Sequence, residues 1–118
     1  MIPRLLIIDT SVLVAGILSN NIDSSTARIV NAMLEGRITH LLSPALLQEY
    51  REVLLRPKLC KLHGLSKADV VQILSEITAN AIWREPAESG GAADPGDDHL
   101  WGLLQSTDAI LVTGDQLL

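Results

Sequence analysis

Leu5-Leu6-Ile7-Ile8-Asp9-Thr10-Ser11 is the stretch from which the rest of the chain can be read. Four apolar residues without alternation describe a strand covered on both faces, as in the interior of a parallel sheet. The run stops abruptly at one carboxylate and two hydroxyls, and Val12 to Leu18 then reads as a short helix. Asn20 to Ser25 is polar, with Asp23 or Ser24 placed to cap a helix from Thr26 to Leu34, and Gly36 stands where a helix-ending glycine is expected. Thr39 to Leu42 reads as a second strand. Ser43-Pro44 then supplies a capping serine and a proline at the first helical position, opening a helix from Ala45 to Leu55 that Pro57 stops. Ser66 and Asp69 resemble a capping box before a helix whose apolar stripe runs Val70, Val71, Ile73, Leu74, Ile77, Ile82. Glu88 to Gly96 reads as a loop. Asp97-Asp98 open a last helix to about Ser106, and Ala109 to Val112 forms a third strand ending at Thr113-Gly114-Asp115. Short two-sided strands alternating with helices define an α/β fold on a parallel sheet, whose ligands bind beyond the carboxyl ends of the strands.

The remaining numbers narrow the class. The 118 residues suffice for one domain, taken as residues 1–118, and 47% hydrophobic against 19% charged residues is a globular balance. Asp9 interrupts the only long apolar stretch, so neither a membrane span nor a signal peptide is expected, and the protein is expected in the cytoplasm. The single cysteine, Cys60, excludes an intrachain disulfide and a thiolate zinc cluster. Nine Lys and Arg against fourteen Asp and Glu leave a net charge of −5, which argues against a sequence-reading DNA binder. It does not argue against an enzyme that meets a phosphate backbone through bound cations.

Where the acids fall matters more than their number. Asp9 and Asp115 each end a strand, so both belong at one edge of the sheet. Asp97 lies in the first turn of the helix leading into the Asp115 strand, and Glu49 lies one turn into the helix after the second strand. Two carboxylates ~4 Å apart repel by about 4 kcal/mol at an effective dielectric near 20. Four converging acids therefore call for a counter-charge, and oxygen ligands without His or Cys select Mg²⁺ or Mn²⁺.

The motifs around these acids resemble those of one family. Leu6-Ile7-Ile8-Asp9-Thr10-Ser11-Val12-Leu13-Val14 resembles the opening motif of the PIN-domain ribonucleases. Ser43-Pro44-Ala45-Leu46-Leu47-Gln48-Glu49-Tyr50-Arg51-Glu52-Val53-Leu54 is similar to their second. Asp94-Pro95-Gly96-Asp97-Asp98-His99-Leu100 and Ala109-Ile110-Leu111-Val112-Thr113-Gly114-Asp115 are similar to the third and fourth. The resemblance covers nearly the whole chain and is nearest to the putative toxins of prokaryotic toxin–antitoxin pairs, the VapC-like group. It implies a PIN-like three-layer α/β/α sandwich around a central parallel sheet. It further implies hydrolysis of single-stranded RNA with Mg²⁺ or Mn²⁺ held by Asp9, Glu49, Asp97 and Asp115, a cognate antitoxin as partner, and a homodimer. Thr10, Ser11 and Thr113 match supporting polar positions. Asp98 rivals Asp97, and Glu52 rivals Glu49. The family usually continues through a further helix and strand, so the final strand is expected to be missing from a chain ending at Leu118.

Other features bear two readings. Asp9, Asp97 and Asp98 are also ordinary strand-end or helix-capping residues, and Glu49 is also an ordinary solvated helix acid. Arg51, Arg56, Lys58, Lys61 and Lys67 place five of the nine cations within seventeen residues. They read equally as an RNA-guiding rim, with Arg51, Arg56 and Lys58 as its candidates, or as a solvated surface. Trp83 and Trp101 read as core or interface residues, His99 as a surface residue and Cys60 as inert. The alternative to an enzyme is a catalytically silent module that binds RNA or protein. A phosphatase of the haloacid dehalogenase type needs a second Asp two residues after the first, where this chain has Ser11.

Overall fold

Strand β1 (Leu5–Ile8) passes directly into helix α1 (Thr10–Leu18), with a single residue, Asp9, between them. The computed structural model describes residues 5–84 and 109–113. After α1 come α2 (Ser25–Glu35), β2 (Thr39–Leu42), α3 (Pro44–Leu54), α4 (Pro57–His63), α5 (Lys67–Ala79), β3 (Ala81–Trp83) and β4 (Ile110–Val112). The four strands form one sheet in the order β3-β2-β1-β4 with every neighbouring pair parallel. The expected α/β fold on a parallel sheet is thus present.

Local chemistry accounts for the helix ends. The Ser24 hydroxyl accepts from Ala27 N, and Gly36 closes α2 at φ +72° in the left-handed region. Ser43 caps α3 by accepting from Leu46 N, with Pro44 at the first turn. Ser66 and Asp69 form the reciprocal capping box that opens α5. Between these elements lies an aliphatic core built on Ile7, Ile8, Leu13, Met33, Leu41 and Leu46, with Tyr50 as its aromatic member.

Two elements differ from the sequence reading. Pro57 ends one helix and also begins another: it is in the first turn of α4, where a missing N–H costs nothing. That short helix buries none of its residues. It is tied back by His63, whose Nδ1 accepts from Leu65 N and whose Nε2 donates to the Leu54 carbonyl. The α5 helix ends before Ile82. Asn80 stops it, its Nδ2 donating to the carbonyls of Leu34 and Glu76, and Ile82 lies in β3, paired with Leu41. Ile82 falls in phase with the helical stripe, and three residues are too few to show a strand period. The loop from Glu88 to Gly96 and the helix from Asp97 to Ser106 lie outside the described residues. No described helix is long and apolar enough to cross a membrane.

Candidate active site

Because the strands are parallel, their carboxyl ends share one edge, and that edge holds Asp9 after β1, Ser43 after β2 and Thr113 after β4. Asp9 is the residue before α1, where an aspartate ordinarily accepts from the first helical amides. Here its side chain makes no capping bond. Its Oδ2 accepts instead from the hydroxyls of Ser11 at 3.0 Å and Thr113 at 2.9 Å, while its backbone N–H donates to the Val112 carbonyl at 2.9 Å. The carboxylate is held at the edge, beside the positive end of α1.

Helix α3 brings the second acid. Glu49 Oε2 accepts a hydrogen bond from the buried Thr10 hydroxyl, 39 residues away in the chain. Tyr50, fully buried, donates its hydroxyl to the Ile8 carbonyl at the end of β1. Burial pushes the Tyr50 phenol far above its usual range, and the charges of Asp9 and Glu49 push it further. Both carboxylates therefore act on one buried hydroxyl, which stays protonated and serves as a fixed donor. Tyr50 falls at helical spacing with the apolar positions Leu46, Leu47, Val53 and Leu54, and its polar tip next to Glu49 is the sign in the sequence of a second role.

The structure separates the rival acids on α3. Glu49 faces Thr10, whereas Glu52 accepts from Gln48 Nε2 at 3.0 Å and faces an open groove of about 570 Å³ on the outer side of the helix. Arg51 and Trp83 share that groove. Trp83 is 45% exposed because β3 is the end strand of the described sheet, so of the two readings, core or interface, it is not in the core. Arg56 and Lys58 are exposed at the start of α4 and are not among the residues lining that groove. Asp97, Asp98, Asp115, His99 and Trp101 lie outside the described residues.

Asp9 and Glu49 contribute carboxylate oxygens, and Thr10, Ser11 and Thr113 contribute hydroxyls. This all-oxygen set suits a hard divalent cation. Among the described residues no three His, Cys, Asp or Glu side chains are gathered as a metal cluster.

The parallel α/β sheet, with Asp9 and Glu49 around the end of β1, is compatible with a nuclease-type fold. The chain belongs to the PIN-domain family: the family model described as "PIN domain" matches residues 5–117. Members of this family are generally nucleases and typically use divalent metals. No curated protein and no solved structure gives a match.

Proposed function

We propose that this protein is a metal-dependent endoribonuclease that hydrolyses phosphodiester bonds of single-stranded RNA. The observation that carries this reading is the placement of Asp9 and Glu49 around the end of β1, each oriented by a hydroxyl from another part of the chain. Asp9, Glu49, Asp97 and Asp115 are the residues proposed to hold Mg²⁺ or Mn²⁺. Such an ion, when bound, supplies the charge that activates water and stabilises the phosphorane-like transition state of in-line hydrolysis.

The chain's own residues prepare that chemistry. Ser11 and Thr113 both donate to Oδ2 of Asp9 and so fix the orientation of its carboxylate. Thr10 donates to Oε2 of Glu49, which is proposed to orient the attacking water. Water oxygen forms the new bond to phosphorus, the ester P–O bond breaks, and the water proton ends on the leaving oxygen. Arg51, Arg56 and Lys58 are proposed to meet the backbone phosphates. Within the family, the reading extends to a cytoplasmic toxin of a toxin–antitoxin pair, acting as a single 1–118 domain, as a homodimer, and silenced by a cognate antitoxin.

The test is cleavage of an unstructured RNA with Mn²⁺ by the parent protein and by Asp9→Asn, with a chelator control. The expected outcome is cleavage by the parent alone, abolished by chelation. Equal cleavage by Asp9→Asn would sink the assignment.

A further inference from the structure

Apart from Arg51, the groove beside α3 holds side chains to which the proposed hydrolysis gives no role. Leu47 and Leu55 supply apolar lining, Trp83 presents an exposed indole, and Arg51, Gln48 and Glu52 bring polar groups. Arg51 makes no ion pair among the described residues, although Glu52 is its neighbour in sequence. Gln48 Nε2 donates to Glu52 Oε1 one helical turn away, which holds the two side chains together. A carboxylate can only accept, so the amide of Gln48 is committed to donate. The groups left over are two acceptors, Glu52 Oε2 and Gln48 Oε1, and one donor, the second Nε2–H of Gln48.

Trp83 also has a defined position relative to the candidate active site. It pairs in register with Leu42, the residue before Ser43, and so stands at the same carboxyl edge as Asp9. Strand β3 is separated from β1 by β2 alone, two strand spacings or roughly 10 Å. A short length of single strand bridges that distance.

We infer that this groove is a base subsite for single-stranded nucleic acid, with the base stacked on Trp83, its flanking phosphate on Arg51 and its edge read by Glu52 and Gln48. The inference rests on the nuclease reading given above. Stacking on one aromatic face tolerates any base, so selection comes from the polar pair. Two acceptors and one donor match guanine, whose N1–H and N2–H₂ donate and whose O6 accepts on the Watson–Crick edge. Adenine, cytosine and uracil each offer a donor at one position only and leave one of the two acceptors unmatched. Arg51 offsets the repulsion between Glu52 and the phosphate.

The experiment is a fluorescence titration in chelator, without cleavage, on Trp101→Phe protein, in which Trp83 is the one remaining tryptophan. The probes are the ribo-pentamers UUGUU, UUAUU, UUCUU and UUUUU. UUGUU is expected to quench Trp83 and to bind at least about fivefold more tightly than UUUUU. Glu52→Gln should erase that preference while retaining UUUUU binding, and Arg51→Gln should weaken all four and flatten the salt dependence. If Trp101→Phe does not fold, ultraviolet cross-linking of a UUGUU analogue with 5-bromouridine beside the guanosine reads the same contact in the unaltered protein, and the cross-link should fall on the peptide containing Trp83. Equal affinity for the four pentamers, a cross-link elsewhere, or a groove that answers only to a protein partner overturns the subsite. Cleavage that depends on Asp9 but is indifferent to Trp83→Ala overturns the subsite and leaves the nuclease standing. Guanine-selective quenching without any cleavage overturns the nuclease and leaves the subsite.

Discussion

At the scale of single residues, hydroxyl groups set the geometry of the acids. Thr113 and Ser11 converge on one oxygen of Asp9, and Thr10 holds Glu49. Thr113→Val keeps the shape of the side chain and removes the donor. If the proposed chemistry holds, cleavage should fall roughly 10–100-fold with little change in thermal stability. His40 makes the opposite case, because it is fully buried and neither ring nitrogen has a hydrogen-bond partner among the described residues. Burial depresses its basicity below the ordinary value of 6.5. As pH falls below that value the unfolded chain takes up the proton first, so falling pH favours unfolding, and the loss continues down to the lowered value in the folded state. The urea midpoint is therefore expected to drop between about pH 7 and pH 5. His40→Leu should flatten that slope; an unchanged slope would mean that other groups carry it.

At the scale of elements, close helix contact depends on residues whose small size is not visible in hydrophobic patterning. A Cβ on Gly16 of α1 would lie 2.4 Å from Val30 Cγ2 and 2.6 Å from the Thr26 carbonyl oxygen on α2. Gly16→Ala therefore has to push α1 away from α2, and a cost of about 1–3 kcal/mol is expected from equilibrium denaturation. Because Asp9 and Thr10 begin α1, the same variant should also weaken the proposed cleavage more than its stability loss explains. Caps, the helix-ending Gly36 and the strands β1, β2 and β4 were legible in the sequence because they depend on neighbouring residues. Helix α4 and strand β3 were not. Their local signals are short, and tertiary contacts decide them: His63 on the Leu54 carbonyl for one, pairing with β2 for the other.

At the scale of the whole molecule, the sheet order brings distant segments to one edge. Asp9 and Thr113 are 104 residues apart and touch because β4 pairs directly with β1. If this edge holds a divalent cation, Mn²⁺ should raise the unfolding temperature of the parent. The linked stabilisation is about 2.7 kcal/mol at one hundred times the dissociation constant. Asp9→Asn should show no such rise by differential scanning fluorimetry, and an equal rise would place the ion elsewhere.

The sequence by itself determined that the chain builds a parallel α/β sheet and that Asp9 stands at the end of its first strand. Apolar runs, capping pairs and the motifs of the PIN-domain family are written in contiguous residues. Only the tertiary structure decided that Glu49 rather than Glu52 meets Thr10, that Asp9 leaves its capping role, that Tyr50 donates beneath both acids, and that Trp83 is exposed beside Arg51. Each of these depends on the rotation of a helix or the rank of a strand in the sheet. Those are set by packing between segments far apart in the chain, which no local pattern records.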